Sequence, residues 1–137
     1  MNEFEVGMYN KLIGIAPLQV KLNGGADKKI YHIVAPQASV KPYIVFGVLT
    51  DTPRSHLIDT AHAEVMTFYV NIFTITSPAN AQQIADLVSA GLDSQEITII
   101  GYYSMACYRE FTSNIIYDPD SKVFQLSMRF RIMGMKS

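Results

Sequence analysis

A strict two-residue alternation near the C-terminus constrains the fold of this chain most. Between Val123 and Met133, apolar residues alternate with polar or basic ones. The apolar set is Phe124, Leu126, Met128, Phe130 and Ile132, and the other set is Gln125, Ser127, Arg129 and Arg131. Because successive side chains of a strand point to opposite faces of its sheet, the pattern predicts a half-buried strand whose other face is basic.

A second long run predicts a central strand. Residues Glu64 to Thr76 are rich in β-branched and aromatic residues, and both alternating sets carry apolar side chains. Shorter strands are predicted at Ile30–Val34, Tyr43–Leu49 and Ile97–Ile100, and Asp51–Ser55 has the composition of a turn. The residues Tyr117–Ser121 predict the turn of a hairpin that leads into the C-terminal strand.

Two segments have helical spacing. Phe4, Met8, Leu12 and Ile15 form one apolar stripe, which Pro17 should end or kink before a further short helical turn. Ser77 and Pro78 are the N-cap and first residue of a second helix that ends near Gly91. The order of elements predicts one α+β domain over residues 1–137, an antiparallel β-sheet with two main helices packed on one face.

Composition excludes several classes of protein. The 137 residues carry a net charge of −1, unlike a polybasic nucleic-acid binder, and one cysteine cannot form an internal disulfide. The N-terminus is acidic, unlike a signal peptide, and no apolar run has the length of a membrane span. We therefore expect a soluble protein kept in a reducing compartment.

The surplus of uncharged residues favours an assembly component. Charged residues are 17% of the chain, whereas about 25% is usual in globular domains. Eight Tyr, seven Phe and seven Met are residue types enriched in interface cores. The alternative is a tyrosine-rich sheet protein with an uncharged surface, and composition does not separate the two.

No motif predicts catalysis, a cofactor or a metal site. His56, Asp59 and His62 could be drawn as metal ligands, but their spacing fits incidental histidines in a surface loop better. Cys107 lacks a recognisable nucleophile motif and has the sequence context of a strand core. A cysteine enzyme would have to be assembled entirely by tertiary structure.

Arg129 and Arg131 share one strand face and allow two interpretations. They could belong to a solvated face, paired across strands with Glu64 or Glu110. They could instead line a contact with a partner or a ring channel. The solvated face is the simpler of the two.

The order of motifs resembles that of a known family. Leu12, then Ala16-Pro17-Leu18, lead through Gly24-Gly25 to Ile30-Tyr31, and Ala35-Pro36-Gln37, Pro42-Tyr43-Ile44-Val45-Phe46 and Asp51-Thr52-Pro53 follow. This sequence of motifs is similar to that of the tail-completion (tail-terminator, head-to-tail joining) proteins of long-tailed bacteriophages and prophages. Residues 9 to 53 carry most of the resemblance, and the C-terminal half matches by element order.

The resemblance implies a structural virion protein rather than an enzyme. Members form a ring, generally of six subunits, that caps the head-proximal end of the tail tube, ends tube growth and joins the tail to the neck. The implied partners are further copies of the chain, the tail-tube protein and a head-neck stopper or connector protein. DNA would pass through the ring without sequence-specific binding, with no membrane involved and assembly in the host bacterial cytoplasm.

The candidate contact surfaces are the predicted loops Asp51–His62 and Lys28–Lys41. The residues singled out for a protein interface are Asp51, Thr52, Pro53, Arg54, His56, Arg129 and Arg131. Two alternatives remain open: another neck component, such as a stopper or adaptor, and a cellular α+β domain that binds a small molecule.

Overall fold

The computed structural model describes residues 3–23, 28–55, 62–102 and 105–135, and for 51–55, 62–64, 105 and 135 the backbone alone. Three helices are present in this part of the chain: α1 (Glu3–Ile13), α2 (Ala16–Leu22) and α3 (Pro78–Leu92). The strands are β1 (Ile30–His32), β2 (Tyr43–Ser55), β3 (His62–Thr74), β4 (Gln95–Ile97), β5 (Met105–Thr112), β6 (Ile116–Asp118) and β7 (Val123–Met135).

All strands join one sheet in the order β1-β2-β3-β7-β5-β4, with β6 also paired to β7. The pairing of β3 with β7 runs from Ala63 opposite Met135 to Thr74 opposite Phe124. Every pair is antiparallel except β1 with β2, so the predicted α+β fold is confirmed with one parallel pair at an edge. The predicted central strand is also confirmed, since β3 lies between β2 and β7.

The core lies between the helices and one face of the sheet. Leu126, Met128, Phe130 and Ile132 are fully buried there, while Arg129 and Arg131 on the alternate positions are exposed. The half-buried strand predicted from the alternation is therefore confirmed. The helices contribute their apolar stripes to the same core, which include Phe4, Met8, Leu12, Leu18, Leu22, Ile84, Val88 and Leu92.

Helix α1 contacts both edges of the curled sheet. Glu5 forms an ion pair with His32 of the edge strand β1. On the other side of the helix, Gly7 packs against Thr98 and Ile99, which follow the opposite edge strand β4. A Cβ atom on Gly7 would lie 2.9 Å from the Thr98 carbonyl oxygen and 2.9 Å from the Ile99 side chain. The missing side chain thus permits the close approach of the helix to this edge.

One helix cap and one turn form where the sequence predicts them. The Ser77 hydroxyl accepts a hydrogen bond from the Asn80 backbone N–H, and Pro78 begins α3 as predicted. In the β6–β7 turn, the Asp118 carboxylate accepts hydrogen bonds from the Ser121 hydroxyl and the Asp120 N–H. These hydrogen bonds, chiefly that from Ser121, lower the pKa of Asp118.

The predicted turn at Asp51–Ser55 is wrong. These residues extend β2 and pair with β3, from Asp51 opposite Met66 to Ser55 opposite His62. Pro53 is compatible with this strand because β1 pairs only with residues 44–46, which leaves β2 as an edge strand farther along. A bulge between Val48 and Thr50 separates the two parts of β2. Residues 56–61 of the predicted contact loop lie outside the described part of the chain.

Two shorter strands also differ from their predicted bounds. β1 ends at His32 because Ile33 has a φ of 69°, and the next N–H, that of Val34, donates to the His32 carbonyl. β4 lies at Gln95–Ile97, earlier than predicted, and Ile99 is buried outside a strand. Both are short edge elements, whose bounds a sequence pattern constrains weakly.

We predict that Gly7→Ala lowers the free energy of unfolding by about 1–2 kcal/mol, since overpacking outweighs the better helix propensity of alanine. Urea denaturation measures the change. Gly14→Ala is the control, because its Cβ would lie 3.3 Å from its nearest neighbour, the Asn10 carbonyl oxygen. Its effect should stay within about 0.5 kcal/mol. Equal effects at the two glycines would contradict the close approach of α1 to Thr98.

We predict that Ser77→Ala costs about 1 kcal/mol of stability, because the Asn80 N–H at the start of α3 loses its acceptor. Ser77→Asp keeps an acceptor at the N-cap and should retain most of the stability. Thermal unfolding of both variants beside the parent chain tests the pair. A Ser77→Ala variant as stable as the parent chain would show that the cap contributes nothing.

Candidate assembly surface

No helix that the structure describes covers the sheet face opposite α1–α3, and the segment that follows β1 lines a cavity with its β2–β3 side, where Val45 is buried. We call this sheet face the open face. Its side chains come from four neighbouring strands. They are Tyr43 and Val45 of β2, Tyr69, Asn71 and Phe73 of β3, Gln125, Ser127, Arg129 and Arg131 of β7, and Tyr108 and Phe111 of β5.

Aromatic rings occupy the β2–β3 side of the open face. The Tyr43 ring lies 5.3 Å from that of Phe73 and 5.7 Å from that of Tyr31, measured between ring centres. Tyr69 lies across Gly47 of β2, where a Cβ atom would come within 2.6 Å of the tyrosine hydroxyl. Glycine at this position therefore lets the Tyr69 ring pack against the backbone of the neighbouring strand.

The two arginines lie on the β7–β5 side of the same face. Arg129 is opposite Tyr69 on one neighbouring strand and Phe111 on the other, and its guanidinium is 5.7 Å from the centre of the Phe111 ring. Arg131 is opposite Thr67 and Tyr108. The Arg129 guanidinium is thus within cation–π distance of a ring, and Arg131 has Tyr108 as its neighbour on the next strand.

The cross-strand ion pairs considered for these arginines are not found among the described side chains. Glu110 lies at the β5 bulge between Arg109 and Phe111, and it has no register partner on β7. The side chain of Glu64 lies outside the described part of the chain. Within what the structure describes, the arginines therefore keep their charges available to a partner.

Several large apolar side chains on or beside the open face are exposed. Phe111 is 51% exposed, and Tyr108, Met133 and Ile116 are exposed to a similar degree. Exposed apolar groups rimmed by polar ones mark protein interaction sites, and aromatic residues and arginine dominate the binding energy of interfaces. The open face has this composition.

The structure brings some of the predicted interface residues near one another. Thr50, Thr67, Arg131 and Tyr108 form one row across the sheet, and Asp51 is in the next row, opposite Met66, whose side chain lies on the other face. Thr52, Pro53 and Arg54 continue β2 away from the centre of the sheet. His56 lies outside the described residues, as does the side chain of His62, the other histidine of the metal hypothesis.

Sequence reasoning missed the aromatic part of this surface. Tyr69, Asn71 and Phe73 alternate with the buried residues of β3, and this second set indicated a strand covered on both faces. Only the placement of all three helices on one face shows that the set is uncovered. Tyr108 and Phe111 were missed because the bulge between them breaks the two-residue period.

Cys107 is unsuited to thiolate chemistry. Its side chain is fully buried in the core, and burial, aided by the Asp93 carboxylate, raises the pKa of the thiol to about 12. Among the described residues, no group of three or more His, Cys, Asp or Glu is placed to hold a metal ion. Nor is any helix in that part of the chain both long and apolar enough to cross a membrane.

The one-sided fold and the open face define a small α+β protein suited to docking other proteins. Residues 7–134 match the family model described as Tail completion protein gp17, and the chain belongs to that family. It is therefore a structural protein of a phage-type tail, located in the virion.

A solved structure has the same fold. It is a chain of the virion of a native gene transfer agent (GTA) particle, 16% identical to this one, with a TM-score of 0.70 over 93% of this chain and 91% of that chain. At this identity the similarity establishes the fold alone. A comparison with curated proteins found no match.

We predict that a maleimide reagent labels Cys107 of the folded chain slowly at neutral pH, and rapidly once urea unfolds it. A chain carrying Thr98→Cys supplies an exposed thiol as the control for reagent activity. The pKa of the Cys107 thiol is higher in the folded chain than in the unfolded one. The stability that comes from burying the neutral thiol is therefore fully present below about pH 9 and is lost between about pH 9 and about 12. Rapid labelling of the folded parent chain would contradict the burial and make cysteine chemistry plausible again.

Proposed function

We propose that this chain is a tail terminator, which forms a ring on the head-proximal end of the tail tube, ends tube growth and joins the tail to the neck. Membership of the tail completion family supports the tail location. The observation that carries the proposal is the open face, a broad uncovered surface with exposed aromatic residues and two arginines. A protein that only filled space in a tail would not need such a face.

The demands on a ring subunit agree with this structure. Such a subunit has two different sides for its neighbours and further surfaces for the structures above and below it. We assign the open face, with Arg129 and Arg131, to one of these partners, the end of the tail tube. The part of β2 that pairs with the start of β3, with Asp51, Thr52, Pro53 and Arg54, is the second proposed contact, and His56 follows it in the sequence.

The charge of the chain suits a ring through which DNA passes. A net charge of −1 gives no general attraction to phosphates, so DNA would slide without sequence-specific binding. The role proposed is non-catalytic, which agrees with the buried Cys107. The purified chain should accordingly show no tight binding to duplex DNA at physiological salt.

Electron microscopy of particles assembled without this gene tests the proposal directly. Tails of abnormal length, unattached to filled heads, are the expected result, because growth of the tube would lack its stop. Restoring the gene in trans should restore tails of uniform length.

The alternative within the same region of the virion is a stopper or adaptor of the neck. Tails of normal length beside unattached or leaking heads would support this alternative. Normal infectious particles would contradict both. Family membership removes the basis for the cellular small-molecule domain.

We predict that the double variant Arg129→Glu, Arg131→Glu fails to restore tail joining in a gene-deleted background, because it reverses both charges on the open face. Arg129→Lys with Arg131→Lys keeps the charges and should restore most of the infectious titre. Both chains should be folded, since the two side chains are exposed. Full infectivity of the glutamate variant would show that the arginines do not contact a partner.

A further inference from the structure

The connection between β1 and β2 projects apolar side chains into solvent. We call residues 33–40 the edge loop. Ile33, Val34 and Val40 are 62%, 72% and 70% exposed. Ile33 and Ala38 have φ values of 69° and 64°, and a β-branched residue such as isoleucine adopts this left-handed region at a cost. A backbone held in this conformation with its apolar side chains outward indicates a surface that is covered in the assembly.

The edge loop lies in a basic stretch. Residues 28–41 contain three lysines and no Asp or Glu. Lys28 is exposed beside β1, and the Lys41 ammonium group lies 5.5 Å from the centre of the Tyr43 ring. The apolar loop is thus flanked by positive charge on both sides.

A groove with the opposite character lies at the other edge of the sheet. We call it the α1–β4 groove. It has a volume of about 500 Å³, and its walls come from α1, from β4 and from the segment that follows β4. Val6 and Ile100 supply apolar surface, and Ile100 is 80% exposed. Glu3 and Glu96 are acidic and exposed, while Lys11 is the basic residue of the lining.

The two surfaces belong to opposite ends of the strand order. β1 is the first strand of the sheet and β4 the last, and α1 contacts the two edges through opposite sides of the helix. A contact between two different surfaces of identical chains is heterologous, and its repetition generates a closed ring or an open filament. An apolar basic loop at one edge and an apolar acidic groove at the other meet this requirement.

We propose that the edge loop of one subunit docks into the α1–β4 groove of a second copy of this chain. Val34 and its neighbours contact Ile100 and Val6, and Lys28 and Lys41 face Glu96 and Glu3 of the next subunit. Complementary charge fixes the direction of the contact, while the apolar centre supplies most of the affinity. This inference rests on the ring of the proposed function and specifies which surfaces join its subunits.

Chemical crosslinking between variants with one added cysteine tests the contact. The variants, Val34→Cys and Thr98→Cys, each add one cysteine to the native Cys107, whose buried thiol we expect not to react. A short bismaleimide is added to each chain alone and to their mixture, both in solution and in tails from cells that express both variants. We expect covalent dimers in the mixture and none in either chain alone. A chain with both substitutions should give a ladder of higher species.

A matched variant controls for random collisions. Val20→Cys places a thiol at a residue of α2 that is 79% exposed and outside both surfaces. Mixed with Thr98→Cys, it should give no dimer. Equal yields from Val20→Cys and Val34→Cys would overturn the proposal.

A charge reversal gives an independent measurement. Glu96→Lys should reduce the fraction of assembled chain about fivefold in native mass spectrometry, since it places a lysine opposite the basic loop. Adding Lys28→Glu to this variant should restore assembly. If rings form but neither crosslinking nor rescue is seen, the contact is wrong while the ring stands. If neither solution nor tails contain an oligomer, the contact falls together with the ring.

Discussion

The pairing of β3 with β7 is the interaction on which the rest of the structure depends. The two strands are paired over twelve register positions, and their alternate residues bury Met66, Phe68, Val70 and Ile72 against Leu126, Met128, Phe130 and Ile132. Because the side-chain period is two, fixing this register fixes the face on which every apolar residue of both strands lies. The helices must cover that face, and the remaining residues of both strands are left on the other. The open face is thus a direct consequence of the same register that builds the core.

Much of this arrangement could be predicted from the sequence. The alternation in β7, the stripe of α1 and the Ser77–Pro78 start of α3 are local signals, and each has a local physical cause. Local signals were not sufficient at Asp51–Ser55. These residues favour a turn, but their pairing with β3 holds them in a strand that has no partner on its other side. The same limit applies to Tyr69 and Phe73. Their two-residue spacing predicts that they share a sheet face, but whether that face is covered depends on where distant helices pack.

Helix α1 gives the two edges of the sheet different surroundings. On the β1 side it forms the Glu5–His32 ion pair, and on the β4 side it approaches the backbone through Gly7. The β1 edge is therefore linked to α1 by the Glu5–His32 side-chain contact and followed by an outward-facing loop, whereas the β4 edge is held by close packing and leaves a groove beside the helix. Unpaired strand edges favour uncontrolled association, which natural proteins limit with short edge strands and flanking structure. Here the first and last strands of the sheet order have three residues each, and the part of β2 that β1 leaves unpaired contains Pro53 and follows a bulge.

The arrangement of charge also explains why composition could indicate an assembly protein but not its contacts. The charges behind the net charge of −1 are unevenly placed: residues 28–41 carry three lysines, whereas the α1–β4 groove is lined by two glutamates and one lysine. Opposite charges at the two edges of the sheet orient the contact between subunits, because like edges repel and unlike edges attract. A ring built in this way would satisfy its edge charges between neighbouring subunits and leave Arg129 and Arg131 for a different partner. The α1–β4 groove and the open face could then be altered independently, whereas Ile33 and Val34 of the edge loop line one cavity with Tyr43 of the open face.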